Sequence, residues 1–190
     1  LRKSFCFVIV RIMQLYLARH AESTYNVDQL LNSDPSVNVR LSETGIIQAE
    51  ELAKKLDGEN FESIYISELP RTKQTADIIN KNSQIPLVID KRINENKMGF
   101  EGQPVNIYYS SIGDGPDRME RKFNDGESLS EVQERVESFI TDLKKSGYSK
   151  VLVITHGCII ECMYSIINNQ EFNYGHGHII PQGDFEIFEL

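Results

Sequence analysis

Arg19-His20, Arg71, Glu95 and His156-Gly157 are the residues of this 190-residue chain whose types suit one common chemistry. Each lies at or just beyond the end of an apolar, strand-like run. Arginine's planar fork matches the oxygens of a phosphate bidentately. Gly157 opens an apolar helical stretch, and the free N–H groups of a helix start add an anion site. Two imidazoles beside two guanidiniums form a dense positive pocket that holds an imidazole able to act as nucleophile and a carboxyl able to move a proton. Taken singly, each residue has a plainer reading: a polar strand end, a charge at a helix start, a solvated loop acid. Their coincidence at successive strand ends is what points to a site.

The elements that must position them follow from periodicity. Strands are expected at Met13 to Ala18, Phe61 to Ser67, Pro86 to Ile89, Lys150 to Thr155 and Phe185 to Phe188. Helices are expected at Ser42 to Leu56, Arg71 to Asn80, Glu127 to Lys145 and Gly157 to Ile167. In the first helix Ile46, Ala49, Leu52, Ala53 and Leu56 share a face, with Ser42 as N-cap. This alternation predicts a three-layer α/β/α sandwich: a mainly parallel sheet, helices on both faces and a small cap or lid insertion. In such sheets ligands bind beyond the carboxyl ends of the strands. Residues 91–126 break the rhythm with Gly99, Gly102, Gly113, Gly115, Gly126, Pro104 and Pro116. They read as a flexible insertion or a small helical cap, and long loops of this kind are often lids.

Composition bounds the rest. Hydrophobic residues are 40% and charged residues 25%, the balance of an ordinary globular protein. The length suits a single domain, expected to span residues 13–190. A net charge of −8 argues against nucleic acid as a partner. No apolar run approaches the ~20 residues that span a bilayer, so no membrane partner is expected. Cys6, Cys158 and Cys162 form neither a disulfide framework nor a zinc pattern, which suits a reducing cytoplasm. Residues 1–12 read as an upstream extension or a non-native addition, because Met13 stands directly before a strand and the run Phe5 to Val10 is too short for a signal peptide. His176 and His178 flank Gly177 in a glycine-rich, loop-like stretch, and no metal site is expected there.

Leu17 to Asn26 (LARHAESTYN) resembles the R-H-G-E-[ST]-x-x-N signature of the histidine phosphatase superfamily, the phosphoglycerate-mutase-like proteins. Further blocks follow in order. Leu41-Ser42-Glu43-Thr44-Gly45 with Gln48-Ala49 is similar to L-[ST]-x-x-G-x-x-Q-A, and Ser67 to Ala76 to S-x-L-x-R-[AT]-x-Q-T-A. Ile93-Asn94-Glu95 with Gly99 and Phe100-Glu101-Gly102 resembles L-x-E…G…[WF]-E-G, while Gly126-Glu127-Ser128 and Thr155-His156-Gly157 match G-E-S and T-H-G. The resemblance covers residues 13–190.

It implies a phosphohistidine mechanism. His20 would be the nucleophile. Arg19, Arg71 and His156 would bind the transferring phosphoryl group, with further contacts from Ser23, Asn26 and the Gly157 N–H. Glu95 would be the general acid, then the base for water, which requires a raised pKa. His20 must be neutral with one ring N–H held by an acceptor. No cofactor or metal is implied, since the arginines neutralise the phosphate charge. Ala21 stands where the signature has Gly, and the loop after Glu95 is one residue shorter than the family's block. Glu22 and Glu101 are the alternative carboxyls, Glu22 also reading as a structural partner.

The family contains mutases and phosphatases. Only residues 103–125 separate Gly102 from Gly126, and the chain stops at Leu190, which favours a phosphomonoester hydrolase like the small broad-specificity and α-ribazole-phosphate phosphatases. A small phosphorylated metabolite is the implied substrate. Tyr108, Tyr109, Arg118, Arg121 and Lys122 are candidates for contact with its non-phosphate part, or else members of a solvated loop. A cofactor-dependent phosphoglycerate mutase and a non-catalytic phosphate-ligand sensor are the two other readings.

Overall fold

Alternate residues of the two central strands feed opposite faces of one sheet. In β1 (Gln14–Arg19) and β4 (Lys150–Thr155), Leu15, Leu17, Val151 and Val153 pack on one side, and Tyr16, Ala18, Leu152 and Ile154 on the other. Strands buried on both faces must be apolar throughout, which is why KVLVIT reads as a continuous run. The computed structural model describes residues 12–190. Expectations for residues 1–11, Cys6 included, lie outside the described residues.

Strands β2 (Ser63–Ile66) and β3 (Leu87–Ile89) complete a parallel set beside β4, and β5 (Phe185–Glu189) runs antiparallel along β1. The order is β3-β2-β4-β1-β5. Helices α2 (Glu43–Lys55) and α3 (Pro70–Ile79) supply Leu52 and Ala76 to one face. Helices α5 (Leu129–Lys145) and α6 (Gly157–Ile167) supply Val132, Val136, Phe139, Ile159 and Met163 to the other. This is the expected three-layer α/β/α sandwich, with a mixed sheet. Cys158 and Cys162 are buried free thiols on the inner side of α6.

Two close approaches fix the loops around the strand ends. An added Cβ at Gly45 would come within 1.9 Å of the Glu22 carbonyl oxygen, so α2 starts directly against the loop after β1. At Gly99, where φ is +77°, it would come within 1.9 Å of the Phe123 carbonyl oxygen, which closes the insertion on itself. The insertion carries short helical elements. It holds α4 (Val105–Ile112) and two 3₁₀ turns, Lys91–Ile93 and Arg118–Glu120. A four-residue helix, α1 (Thr24–Val27), follows the first signature. Among the described residues no helix is long and apolar enough to cross a membrane.

Candidate active site

The parallel strands deliver their terminal residues to one edge. Arg19 ends β1, and the His20 N–H donates to the Thr155 carbonyl over 3.0 Å, which sets the His20 and His156 backbones side by side. Thr155 donates through its hydroxyl to the Ile93 carbonyl at 2.8 Å, tying the Glu95 loop to the same edge. The Ala21 N–H donates to Thr75 Oγ1 at 3.2 Å, and Thr75 donates back to the Arg71 carbonyl at 2.8 Å. Proline at the first position of α3 presets that helix, whose first turn carries Arg71.

Both histidines are buried, at 2% and 0% exposure. The acceptor that sequence could not name is the Ala21 carbonyl, 2.7 Å from His20 Nδ1. Arg71 Nε–H donates to His20 Nε2 at 3.0 Å. With a carbonyl on one nitrogen and a guanidinium on the other, His20 must carry its proton on Nδ1 and its lone pair on Nε2. His156 has the opposite tautomer. Its Nδ1 accepts from Arg71 Nη2 at 3.1 Å, so its Nε2–H donates to Ser67 Oγ at 2.8 Å. Ser67 also accepts from the Leu69 N–H and passes its own hydrogen to Thr72 Oγ1. Burial, and then the positive charge of Arg71, hold both imidazoles well below the usual histidine range. Both are therefore neutral at pH 7.

Arg71 is the hub. Its Nη1 donates to Asn32 Oδ1 and its Nη2 to the Asn32 carbonyl. Burial lowers its pKa to about 10, which leaves it protonated at neutral pH. Asn32 in turn donates to Glu101 Oε1 at 2.7 Å, while Glu101 Oε2 accepts the Ser33 and Asp34 N–H groups. Asn32 carried no local sequence signal, and only the fold shows that it clamps Arg71. Glu101 is engaged in this support. Glu22 accepts from the Ser42 hydroxyl and its carbonyl takes the Ser42 N–H, the structural role anticipated for it.

Arg19, by contrast, is loosely held. One Nη1 contact of 3.4 Å reaches the Ile180 carbonyl, and its buried Nε has no hydrogen-bond partner among the described residues. A buried unpaired guanidinium N–H is costly and marks a place for an anion. Gly157, first residue of α6, lies beneath it: an added Cβ would sit 3.4 Å from Arg19 Nη2. Glu95 lines the same cavity of about 130 Å³ as Arg19, His20, Arg71, Ser23 and Asn26. Burial raises its pKa, against the pull of the Asn96 N–H, Arg71 and Arg19. Ser23 and Asn26 form the capping box of α1. The Ser23 hydroxyl is committed there, and the Asn26 Nδ2 is the free donor of the pair among the described residues.

The lid candidates divide. Tyr109 lines the cavity with Tyr174, their hydroxyls 3.0 Å apart. Tyr108 is buried and bonded to Asn96. Arg118 ties Gly113 to Asn173 and Tyr174, Arg121 pairs with Asp117, and Lys122 with Glu131, so these cations are structural ties. A larger groove of about 760 Å³ also reaches Glu95; of its five cations Arg92, Lys97, Lys122 and Arg135 are each paired with a carboxylate, and Lys91 is exposed. His178 pairs with Glu186 and stacks on Tyr164, while His176 is exposed. No group of three or more His, Cys, Asp or Glu side chains is arranged to hold a metal ion among the described residues.

The model of the histidine phosphatase superfamily (branch 1) matches residues 15–190. The chain belongs to this superfamily. A Yersinia pestis protein named probable phosphoglycerate mutase GpmB is 28% identical over 163 residues, covering 82% of this chain and 75% of that one. An Escherichia coli structure, assigned as an α-ribazole-5′-P phosphatase, superposes with a TM-score of 0.82 at 25% identity, covering 93% of this chain and 90% of that chain. The α-ribazole phosphatase of Shigella flexneri superposes at 0.81, again at 25% identity, covering 92% and 89%. In this histidine phosphatase superfamily member, three blocks far apart in the sequence contribute Arg19, His20, Ser23, Asn26, Arg71 and Glu95 to one cavity.

Proposed function

We propose that the chain is a metal-independent phosphomonoester hydrolase that acts on a small phosphorylated metabolite through a phosphohistidine intermediate at His20. The single observation that carries this reading is the state of His20. It is buried and neutral, its Nδ1–H is held by the Ala21 carbonyl, and its Nε2 lone pair is aimed at Arg71 in a pocket that also holds Arg19 and Glu95. The phosphoryl oxygens take over the Arg71 fork and the unpaired Arg19 Nε–H, which frees Nε2 to attack. Asn26 Nδ2 and the Gly157 N–H add contacts. The incoming dianion favours protonation of His156 at Nδ1, which then donates to the phosphoryl group.

In the first step the Nε2 lone pair forms the N–P bond and the ester P–O bond breaks. Its electron pair passes to the leaving oxygen, which takes the proton of Glu95. In the second, Glu95 takes a proton from water, the new O–P bond forms, and the N–P pair returns to Nε2 as phosphate leaves. Charge stabilisation by the arginines supplies most of the rate enhancement, and proton donation by Glu95 contributes typically 10²–10⁴-fold. A cytoplasmic location fits the buried free thiols.

Phosphate release in excess EDTA tests this, over a panel of p-nitrophenyl phosphate, α-ribazole phosphate, sugar phosphates, phosphoglycerates and nucleotides. Release that survives EDTA and vanishes in His20→Ala supports the reading. No release from any ester overturns it. The likeness to the protein named phosphoglycerate mutase favours a mutase as the second reading, which isomerisation of a phosphoglycerate with little free phosphate would support.

A further inference from the structure

Beyond Arg19 a second compartment of about 240 Å³ opens from the phosphate pocket. The two share Arg19, Glu95, Tyr109 and Tyr174, so the alcohol part of an ester held at Arg19 has this space before it. Glu161, on the second turn of α6, lines it and is 5% exposed. The phosphoryl-transfer steps make no use of this buried carboxyl.

Its Oε2 accepts the Gly175 N–H at 2.8 Å and the Gly177 N–H at 3.1 Å. Gly177 packs so closely that an added Cβ would lie 3.0 Å from Oε2, so the carboxyl is fixed in place. Capping this turn explains one oxygen. Oε1 has no hydrogen-bond partner among the described residues. Arg19 is the one cation lining this compartment among those residues, and it also faces the phosphate pocket. The stacked pair Tyr109 and Tyr174, rings 5.9 Å apart, also lines the compartment.

We propose that Glu161 is a specificity residue: it makes this compartment accept phosphomonoesters whose alcohol part is neutral or cationic and carries donor groups, and reject those with a second carboxylate or phosphate. The identification of the alcohol side rests on the phosphomonoesterase reading. A donor on the alcohol satisfies Oε1, and the tyrosine rings cover its flat or apolar face. A second anion meets a fixed carboxylate where water is scarce and like charges repel strongly.

The test is a set of dissociation constants, measured by calorimetry on His20→Ala so that nothing turns over. The probes are phosphoethanolamine, glycerol 3-phosphate and 3-phosphoglycerate. The expected order has 3-phosphoglycerate weaker than glycerol 3-phosphate by at least about tenfold, with phosphoethanolamine, whose ammonium carries donors, the tightest. Adding Glu161→Gln, which keeps an acceptor for the two glycine N–H groups, should shrink the gap several-fold. Equal binding of glycerol 3-phosphate and 3-phosphoglycerate, a gap unmoved by Glu161→Gln, or no binding of any probe would overturn the proposal. Should the double variant misfold, the order in His20→Ala decides alone. Wild-type hydrolysis of p-nitrophenyl phosphate, measured in parallel, reports on the phosphatase reading separately.

Discussion

Arg71 Nε donates to His20 Nε2 over 3.0 Å, while Nη2 of the same guanidinium donates to His156 Nδ1 over 3.1 Å. One planar group therefore sets the tautomers of both histidines and engages the Nε2 lone pair of His20. A lysine would keep the charge and lose the fork. Arg71→Lys should lower kcat/KM about 10²–10³-fold in steady-state assays, with the fold retained by circular dichroism. A change under threefold would remove Arg71 from the centre of the site.

Glu101 acts at one remove, through Asn32. Glu101→Ala frees the Asn32 amide and two backbone N–H groups, and Arg71 loses its clamp. Kcat should fall about 10–100-fold, the scale set by small misplacements of reacting groups, while KM moves little. If Glu101 were instead the proton donor, the loss would depend strongly on leaving-group basicity. Assays of aryl and alkyl phosphates separate the two.

That leaving-group signature belongs to Glu95. In kcat/KM, which reports the phosphorylation step, Glu95→Gln should cost about 10²–10⁴-fold on alkyl phosphates and far less on p-nitrophenyl phosphate, whose anion leaves without a proton. Burial raises the Glu95 pKa, so the protonated form persists above the ordinary carboxylate range. In the wild type, kcat for alkyl esters should therefore fall as pH rises through that raised value. The fall should vanish in Glu95→Gln. An alkaline limb unchanged in the variant would assign the donor elsewhere.

The strands and long helices were legible because their signals are local. KVLVIT could only be a buried strand, and Ser42 with a 3.6-residue apolar period could only open α2. The expectation that Arg19, His20, Arg71, Glu95 and His156 lie near one another rested on a different signal: they follow strands whose ends the topology gathers. What escaped depends on contacts far apart in sequence. Asn32 meets Arg71 across 39 residues, and no spacing rule announces that. Glu101 lay in a recognised block, but its role as a support is visible only once Asn32 is placed. Helix α1 has four residues and rests on a Ser23–Asn26 capping box rather than on an apolar face. Helix α4 follows Pro104 amid glycines, which masked its Tyr108 and Ile112 core positions.

Acid should unfold the protein partly through its two buried histidines, His20 and His156. Both folded-state pKa values lie well below the ordinary histidine value because burial and Arg71 oppose the charge. Above about 6.5 both forms are neutral and nothing is gained or lost. Below it the unfolded chain takes up protons that the folded pocket refuses, so stability falls as pH drops toward the folded values. The raised Glu95 and Glu161 carboxyls act in the opposite sense and offset part of the slope. Urea midpoints at pH 7 and pH 5 should drop on acidification, with a smaller drop in His20→Asn. An equal drop in both would exclude His20 as a contributor.

The most direct test of phosphoryl transfer through His20 is a quenched single turnover with a radiolabelled phosphomonoester in excess EDTA. Phosphohistidine chemistry predicts labelled protein that withstands alkali, loses its label in acid, maps to His20 and is absent from His20→Ala. Label that persists in His20→Ala, or phosphate release unchanged by that substitution, would contradict it.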